Sequence, residues 1–364
     1  MANWEELPQE LLKLIAQRLA IEDFVAFGAA CSSWLSAAAK ETYDAKSKPP
    51  WLVTYVYKQT PGAPWLTADV SNHITEFCSP SRGRTYPLKS LGTQAKTLSP
   101  PGWMLVSNWS SEYLRIFNPL SRISIELPTL EKLFSESFFS LDPVIQRMVR
   151  PRIKRMALSS SPSSSGSYAV MIALDWDIGL PWLAFYRSGD DAWREVSPAT
   201  HPPWTEVLQL IYYDGLFVAL DAENHITTLN ESESRMESRL VLEQKFEGRP
   251  YLVECSGSLL VAWETTGAKG NRFRVFDVDL EKGTKEEVKS LGKASLFLND
   301  NSSFSMDFDA ASCLAGFKPN HIYFTDYTNE EEEKKIYSMD CGKVETYSDV
   351  IGHSHAGQWF RPNF

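Results

Sequence analysis

The sequence predicts a small all-α module of three short helices followed by a large all-β domain, a β-propeller of six blades. Three observations carry that expectation. Residues 7–19 place leucine and isoleucine at helical spacing. At Lys46-Ser47-Lys48-Pro49-Pro50 the helical pattern breaks, and beyond it apolar residues alternate with period two. About six such units then recur at intervals of roughly 40 to 65 residues, close to the periods of propeller repeats.

The first helix opens at Leu7-Pro8, and proline at a first helical position loses no hydrogen bond, because that N–H has no intrahelical partner. Leu11, Leu12, Ile15 and Leu19 are expected to share one face, with Leu14 beside them and Lys13 and Gln17 opposite. Glu5, Glu6 and Glu10 put negative charge where the helix dipole favours it. Leu7 cannot accept a capping hydrogen bond, so its side chain is kept for packing or recognition. Two further short helices follow over Ile21–Phe27 and Cys31–Leu35, with Phe24 and Phe27 three apart, as are Cys31 and Trp34. About forty residues cannot bury all these groups internally, so part of the apolar face is left for a partner.

After the break the units read as an apolar strand, a loop and a hairpin. The first lies around Trp51–Val56. The clearest is Tyr113–Phe117, a turn at Asn118-Pro119-Leu120-Ser121, then Ile123, Ile125 and Leu127 alternating with Ser124 and Glu126. The others pair Ala169–Leu174 with Trp182–Tyr186 and Trp193–Val196, Gly215–Leu220 with His225–Leu229, and Gly257–Trp263 with Phe273–Val278. The last joins His321–Asp326 to Lys335–Met339 and Lys343–Tyr347. One such unit cannot bury both its faces, whereas a radial arrangement packs each against the next and protects most edges. A two-sheet sandwich is the alternative, and the domain is long for one. In a propeller the ends of the chain must meet. Trp51–Val56 is therefore expected near the final unit, Ile336–Tyr347, with Trp359 and Phe360 packed over the seam.

Leu7-Pro8, Leu11-Leu12, Ile15, Leu19, Asp23-Phe24, Phe27, Cys31 and Trp34 resemble the F-box, with alanine at positions 20 and 30 where the family commonly has proline and valine. Val288–Gly292, Leu296-Phe297-Leu298, Ser303-Phe304-Ser305, Asn320–Asp326 and the closing Gln358-Trp359-Phe360-Arg361-Pro362 resemble a large plant group in which an F-box precedes a KIB-type propeller. The resemblance implies an F-box over 1–46, a linker over 47–50 and a propeller over 51–364 that recognises a target. It implies docking on a Skp-type adaptor, and through it a cullin ubiquitin ligase, by Leu7, Pro8, Leu11, Leu12, Ile15, Leu19, Phe24, Cys31 and Trp34. In that role the chain is a non-catalytic adaptor.

Composition narrows the alternatives. With 43% hydrophobic and 23% charged residues the chain is a folded protein rather than a disordered one. A net charge of −10 argues against binding a phosphate backbone. The best basic cluster, Arg147, Arg150, Arg152, Lys154 and Arg155, lies in a proline-interrupted stretch and reads as a solvated loop or an internal ion-pair patch. The five cysteines are scattered without a CxxC pair, which fits reduced thiols and a cytoplasmic or nuclear location. No signal-peptide pattern and no membrane-length apolar run occur in the sequence.

Catalytic and metal motifs are not evident: there is no G-x-S-x-G elbow, P-loop or H-E-x-x-H. His353 and His355 with Asp349 make the best metal candidate, but no further ligands stand at a recognisable spacing. No metal or cofactor is expected. Asp175 and Asp177 superficially resemble a glycosidase carboxylate pair, yet such pairs commonly sit at turns. Trp103, Trp182, Trp193 and Trp263 read as blade core, whereas Trp109, Trp176 and Trp204 lie at or beside loops and are the candidates for a target-binding face. The serine-rich stretch Ser159–Ser167 reads as a flexible inter-strand loop, and Glu330–Glu333 with Lys334-Lys335 as a solvated hairpin tip. The functional alternative to the adaptor is a propeller that binds a small molecule or carbohydrate, or is an enzyme, with the F-box governing its turnover.

Overall fold

The computed structural model describes residues 7–19, 21–28, 30–38, 49–57, 73–79, 83–88, 95–99, 102–107, 113–130, 133, 152–162, 166–175, 182–196, 205–232, 235–243, 248–267, 270–308, 316–326, 333–347 and 357–363. Three helices come first: α1 (Gln9–Arg18), α2 (Ile21–Gly28) and α3 (Ser32–Ala37). Pro8 stands at the N-cap of α1 rather than inside it, and its carbonyl accepts from the N–H groups of Leu11 and Leu12 at 3.0 and 3.1 Å. The helix stops where Leu19 turns extended, its N–H donating to Ala16 O at 3.2 Å.

The remaining described chain is β structure. The first sheet holds β1 (Trp51–Tyr57), β2 (His73–Ser79) and β3 (Arg84–Leu88), and the second β4 (Ala95–Ser99), β5 (Trp103–Ser107), β6 (Leu114–Phe117) and β7 (Ser124–Leu127). The third holds β8 (Arg152–Leu158), β9 (Ala169–Asp175), β10 (Trp182–Arg187) and β11 (Arg194–Val196). The fourth comprises β12 (Val207–Tyr213), β13 (Leu216–Asp221), β14 (His225–Ser232) and β15 (Arg235–Glu243). The fifth comprises β16 (Arg249–Cys255), β17 (Ser258–Gly267), β18 (Gly270–Asp279) and β19 (Thr284–Val288). The last holds β20 (Ala294–Phe297), β21 (Phe304–Asp307), β22 (His321–Asp326), β23 (Glu333–Ser338) and β24 (Val344–Thr346), with β20 and β22 parallel. The final strand, β25 (Gly357–Phe360), returns to the first sheet and pairs antiparallel with β1, Trp51 opposite Phe360 and Leu52 opposite Trp359.

The alternation of side chains explains why these sheets stand radially as a propeller. On β9, Val170, Ile172 and Leu174 pack toward the second sheet, while Ala169, Met171 and Ala173 pack toward the fourth. On β17, Leu259, Val261 and Trp263 meet the fourth sheet, and Leu260 and Ala262 meet the sixth. Each apolar cluster thus lies between two consecutive sheets. The ring closes where Leu52 and Cys78 of the first sheet join Phe297, Tyr323 and Ile336 of the last around Trp359. The edge strands β4, β8, β12, β16 and β21 lie beside one another around the axis.

The closure differs from the expectation in one respect. The ends do meet, but the C-terminus supplies a strand to the first sheet, and Trp359 and Phe360 are inside that strand rather than laid over a seam. Period two again decides their neighbours: Trp359 packs into the last sheet and Phe360 toward the second. Asn299 fixes this strand, accepting from the Trp359 N–H at 2.7 Å and donating to its carbonyl at 2.8 Å. Buried Lys334 donates to the carbonyl of Gly357 and, at 2.6 Å, to Thr325 Oγ1. Glu333, Lys334 and Lys335 therefore belong to β23 and not to a solvated tip; Glu330 to Glu332 lie outside the described residues.

Arg152, Lys154 and Arg155 are likewise part of a strand, β8, and not of a loop. The basic side chains obscured it, since its apolar half is only Met156-Ala157-Leu158. Arg155 is engaged internally, Nε donating to Leu208 O at 2.6 Å and Nη1 to Asn301 Oδ1 at 3.1 Å, and burial lowers its pKa. Arg147 and Arg150 lie outside the described residues.

Candidate functional site

The helices do not form an isolated core. Leu12, Ala16, Phe24, Phe27 and Ala37 share one cluster with Trp51, Val53, Phe77, Phe360, Met104, Val106 and Phe117, so the module is seated on the first two sheets. Trp34 stacks on Phe27 with ring centroids 4.4 Å apart. The Gln9 side chain ties the start of α1 to α3, donating to Ser33 O at 3.0 Å and Ser33 Oγ at 2.9 Å. The sequence reading missed that latch, and a polar residue beside a helix start gives no signal of its distant partner.

The expectation that Leu11, Leu12, Ile15 and Leu19 share one face is corrected. Leu12 is 0% exposed, and with Ala16 and half-buried Leu19 it forms the inward stripe. Leu11, Leu14 and Ile15 are 48%, 51% and 40% exposed and form a second stripe beside the first, while Lys13 and Gln17 are exposed as expected. At 100° per residue, positions 11 and 15 lie near one another and 12 and 16 lie a quarter-turn away. The apolar band on α1 is therefore too wide for one partner. Leu35, on α3, is 61% exposed. Of the remaining resemblance-implied residues, Pro8 is exposed, Leu7, Cys31 and Trp34 are half-buried, and Phe24 is buried. Cys31 carries a free thiol.

On the propeller, Trp103, Trp193 and Trp263 are buried and Trp182 half-buried against the cluster between the second and third sheets. Trp109, Trp176 and Trp204 lie outside the described residues, as do His353, His355, Asp349 and Asp177. Asp175 ends β9 and pairs with Lys154 at 3.4 Å. Among the described residues no group of three or more histidine, cysteine or carboxylate side chains is placed to hold a metal.

One end of the propeller carries two adjoining cavities that sequence reasoning did not find. The hairpins β12–β13 and β16–β17 turn there through Asp214-Gly215 and Ser256-Gly257, with all four residues at positive φ (47°, 81°, 52° and 88°), the tight two-residue turns that suit strand twist. An axial cavity of about 70 Å³ is bounded by Leu158, Tyr212, Glu254, Ser303, Ser305 and Arg361. A second, of about 280 Å³, opens between the third and fourth sheets and shares Tyr212 with the first.

The fold and the seated helices define the class: a β-propeller with an N-terminal helical module that bares apolar side chains. The sequence profile of the KIB1-4 β-propeller matches residues 77–344, and the chain belongs to that family. An F-box/kelch-repeat protein of Arabidopsis thaliana is 25% identical over 349 residues, covering 93% of this chain and 88% of the relative. An F-box protein of the same plant is 24% identical over 416 residues, covering 99% and 92%. Among solved structures, a chain of the nidogen/laminin complex has a TM-score of 0.45 at 9% identity, covering 85% of this chain and 96% of that one.

Proposed function

We propose that this chain is the substrate-receptor subunit of a Skp–cullin–F-box ubiquitin ligase, acting in the cytoplasm or nucleus. Residues 1–46 dock on the Skp-type adaptor as the F-box, and residues 51–364, as a six-bladed propeller, present the target. Being non-catalytic, the chain works by holding the target near the ligase's transfer machinery, which raises effective concentration without making or breaking a bond. One observation carries the reading. Of the five large apolar side chains that stay exposed among the described residues, four (Leu11, Leu14, Ile15 and Leu35) lie on the helices. Burying a fully exposed leucine or isoleucine side chain is worth about 1.5–3 kcal/mol, and these four have 40–61% of their surface left to bury. The full-length similarity to Arabidopsis F-box proteins supports the same reading.

The test is a double substitution, Leu11→Asp with Ile15→Asp, which puts two carboxylates on the exposed stripe and leaves Leu12 and Ala16 untouched. Co-purification with the adaptor is expected to be lost while the thermal melt stays that of the wild type. Adaptor binding at wild-type affinity would refute the docking assignment.

A further inference from the structure

The helices and the segment that closes the ring meet at the first two sheets. The helices share a cluster with Trp51 of β1, Phe117 of β6 and Phe360 of β25. Within it the Phe77 ring bridges the other two aromatics of the first sheet, with centroids 6.2 Å from Trp51 and 5.3 Å from Phe360. Beyond β25 the chain crosses from the first sheet to the second. There Asn118 Nδ2 donates to Asn363 O at 2.9 Å. Gly102, at a φ of 86°, lets the crossing segment come close, since a Cβ on it would lie 3.0 to 3.1 Å from atoms of Asn363.

Asn118 joins the two. It is 0% exposed in the β6–β7 turn, and its N–H donates to Ile123 O at 2.9 Å. Its Oδ1 accepts from the N–H groups of Leu120 and Ser121 at 3.0 Å each, which sets the turn that packs Leu120 against the helix cluster. One buried amide therefore shapes the seat of the helices with its oxygen and holds the crossing segment with its nitrogen. Neither party is strong alone. A helix of 10 residues such as α1 holds poorly in water without packing. β25 has 4 residues and, within its sheet, pairs only with β1.

We propose that the helices and β25 form a clasp, so that occupation of the exposed stripe of α1 and closure of the propeller ring are coupled. The occupant is the Skp-type adaptor, and to that extent the inference rests on the docking reading above. Two states are involved. With the helices seated, Leu11, Leu14 and Ile15 are displayed on a formed helix, and Trp51 and Phe360 are covered. With the helices unseated, α1 loses the contacts of Leu12 and Ala16, the stripe loses its helical display, and β1 and β25 lose their cover. The adaptor binds the seated state, so it strengthens closure, and by linkage whatever loosens closure weakens adaptor binding. A receptor without its adaptor opens first at β25.

Amide hydrogen exchange of the full chain, alone and with saturating recombinant Skp-type adaptor, reads the coupling strand by strand. The adaptor should slow exchange in β1 and β25 by about fivefold or more and leave β9 and β17, in other sheets, at their own rates. Two variants are measured without adaptor. Leu12→Ala removes an inward contact of the helices and should speed exchange in β1 and β25 selectively. Asn118→Asp keeps the oxygen that accepts from Leu120 and Ser121, replaces the donor to Asn363, and should do the same by a milder change. It should also weaken adaptor binding by about fivefold or more, although it lies inside the propeller and not on the exposed stripe. A wild-type chain that does not bind the adaptor refutes the docking reading, and the two variants then decide the clasp by themselves. Unchanged exchange in β1 and β25 in both variants, or equal acceleration in every sheet, overturns the clasp. So does an adaptor that binds the wild type without slowing β25, or that binds Asn118→Asp at wild-type affinity.

Discussion

In the propeller, apolar strands such as β9 and β17 meet a neighbouring sheet on both sides, whereas the buried apolar contacts of α1 among the described residues run along one stripe, Leu12 and Ala16 with Leu19 just beyond the helix. A strand of period two has two faces, and a closed ring offers two neighbours, so both apolar faces of such a strand find cover. A helix has no such limit. Its apolar band can be wider than the one groove it occupies, and on α1 the surplus is Leu11, Leu14 and Ile15. Exposed apolar side chains gathered on one small module mark a surface awaiting a partner, while buried ones inside a ring mark architecture.

The sharpest way to break that contrast is at the closing strand. Trp359 is 0% exposed and makes ring contacts with Phe297, Phe317, Tyr323 and Tyr347 at centroid distances of 5.3 to 6.0 Å. Trp359→Ala should cost about 3–5 kcal/mol, read as a lowered melting temperature. Removing residues 357–364 should cost more, since it also takes the backbone pairing with β1 and the bond from Asn118 Nδ2 to Asn363 O. A wild-type melt in either variant would mean the ring does not depend on its last strand.

A second comparison sets adjacent leucines of α1 against each other. Leu12→Ala should cost about 2–5 kcal/mol, because it empties part of the cluster that seats the helices. Leu11→Ala should change stability by less than about 0.5 kcal/mol yet weaken adaptor binding, measured on the same preparation. Equal effects of the two on stability would dissolve the distinction between the stripes.

The smallest expected effect is on the exposed rim of the propeller. Hydrogen bonds from Arg274 and Lys289 pull the Glu287 carboxyl from its ordinary 4.5 down to about 2. Between those values the unfolded chain binds the proton and the folded chain does not. The contribution is therefore fully present above pH 4.5 and disappears as pH falls toward 2. Glu287→Gln should flatten the acid limb of a stability–pH profile across that window and barely move the melt at neutral pH. An unaltered acid limb would show that solvent screens the cluster completely.

Much of this was legible from residue order. The hairpins around Tyr113–Leu127, Gly215–Leu229 and Gly257–Val278 announce themselves by alternation and turn residues, and the structure has strands there. β8 was not legible, because Arg152, Lys154 and Arg155 suggest solvent when they lie on a strand near the axis. Lys334 misled for the same reason, its charge concealing a buried side chain with acceptors contributed by β22 and β25. The Gln9–Ser33 latch and the cavity between the third and fourth sheets could not be read at all, since each depends on groups far apart in the chain.

The sequence by itself determined the local periods, and with them three helices, a train of twisted hairpins and the need for a ring in which both strand faces find cover. Which apolar residues of α1 turn inward, which chain end completes the first sheet and where polar side chains converge were decided only by the tertiary structure. The physical reason is one of range. Period and turn chemistry act over a few residues, whereas burial and hydrogen-bond convergence are set by neighbours that only closure of the ring brings together.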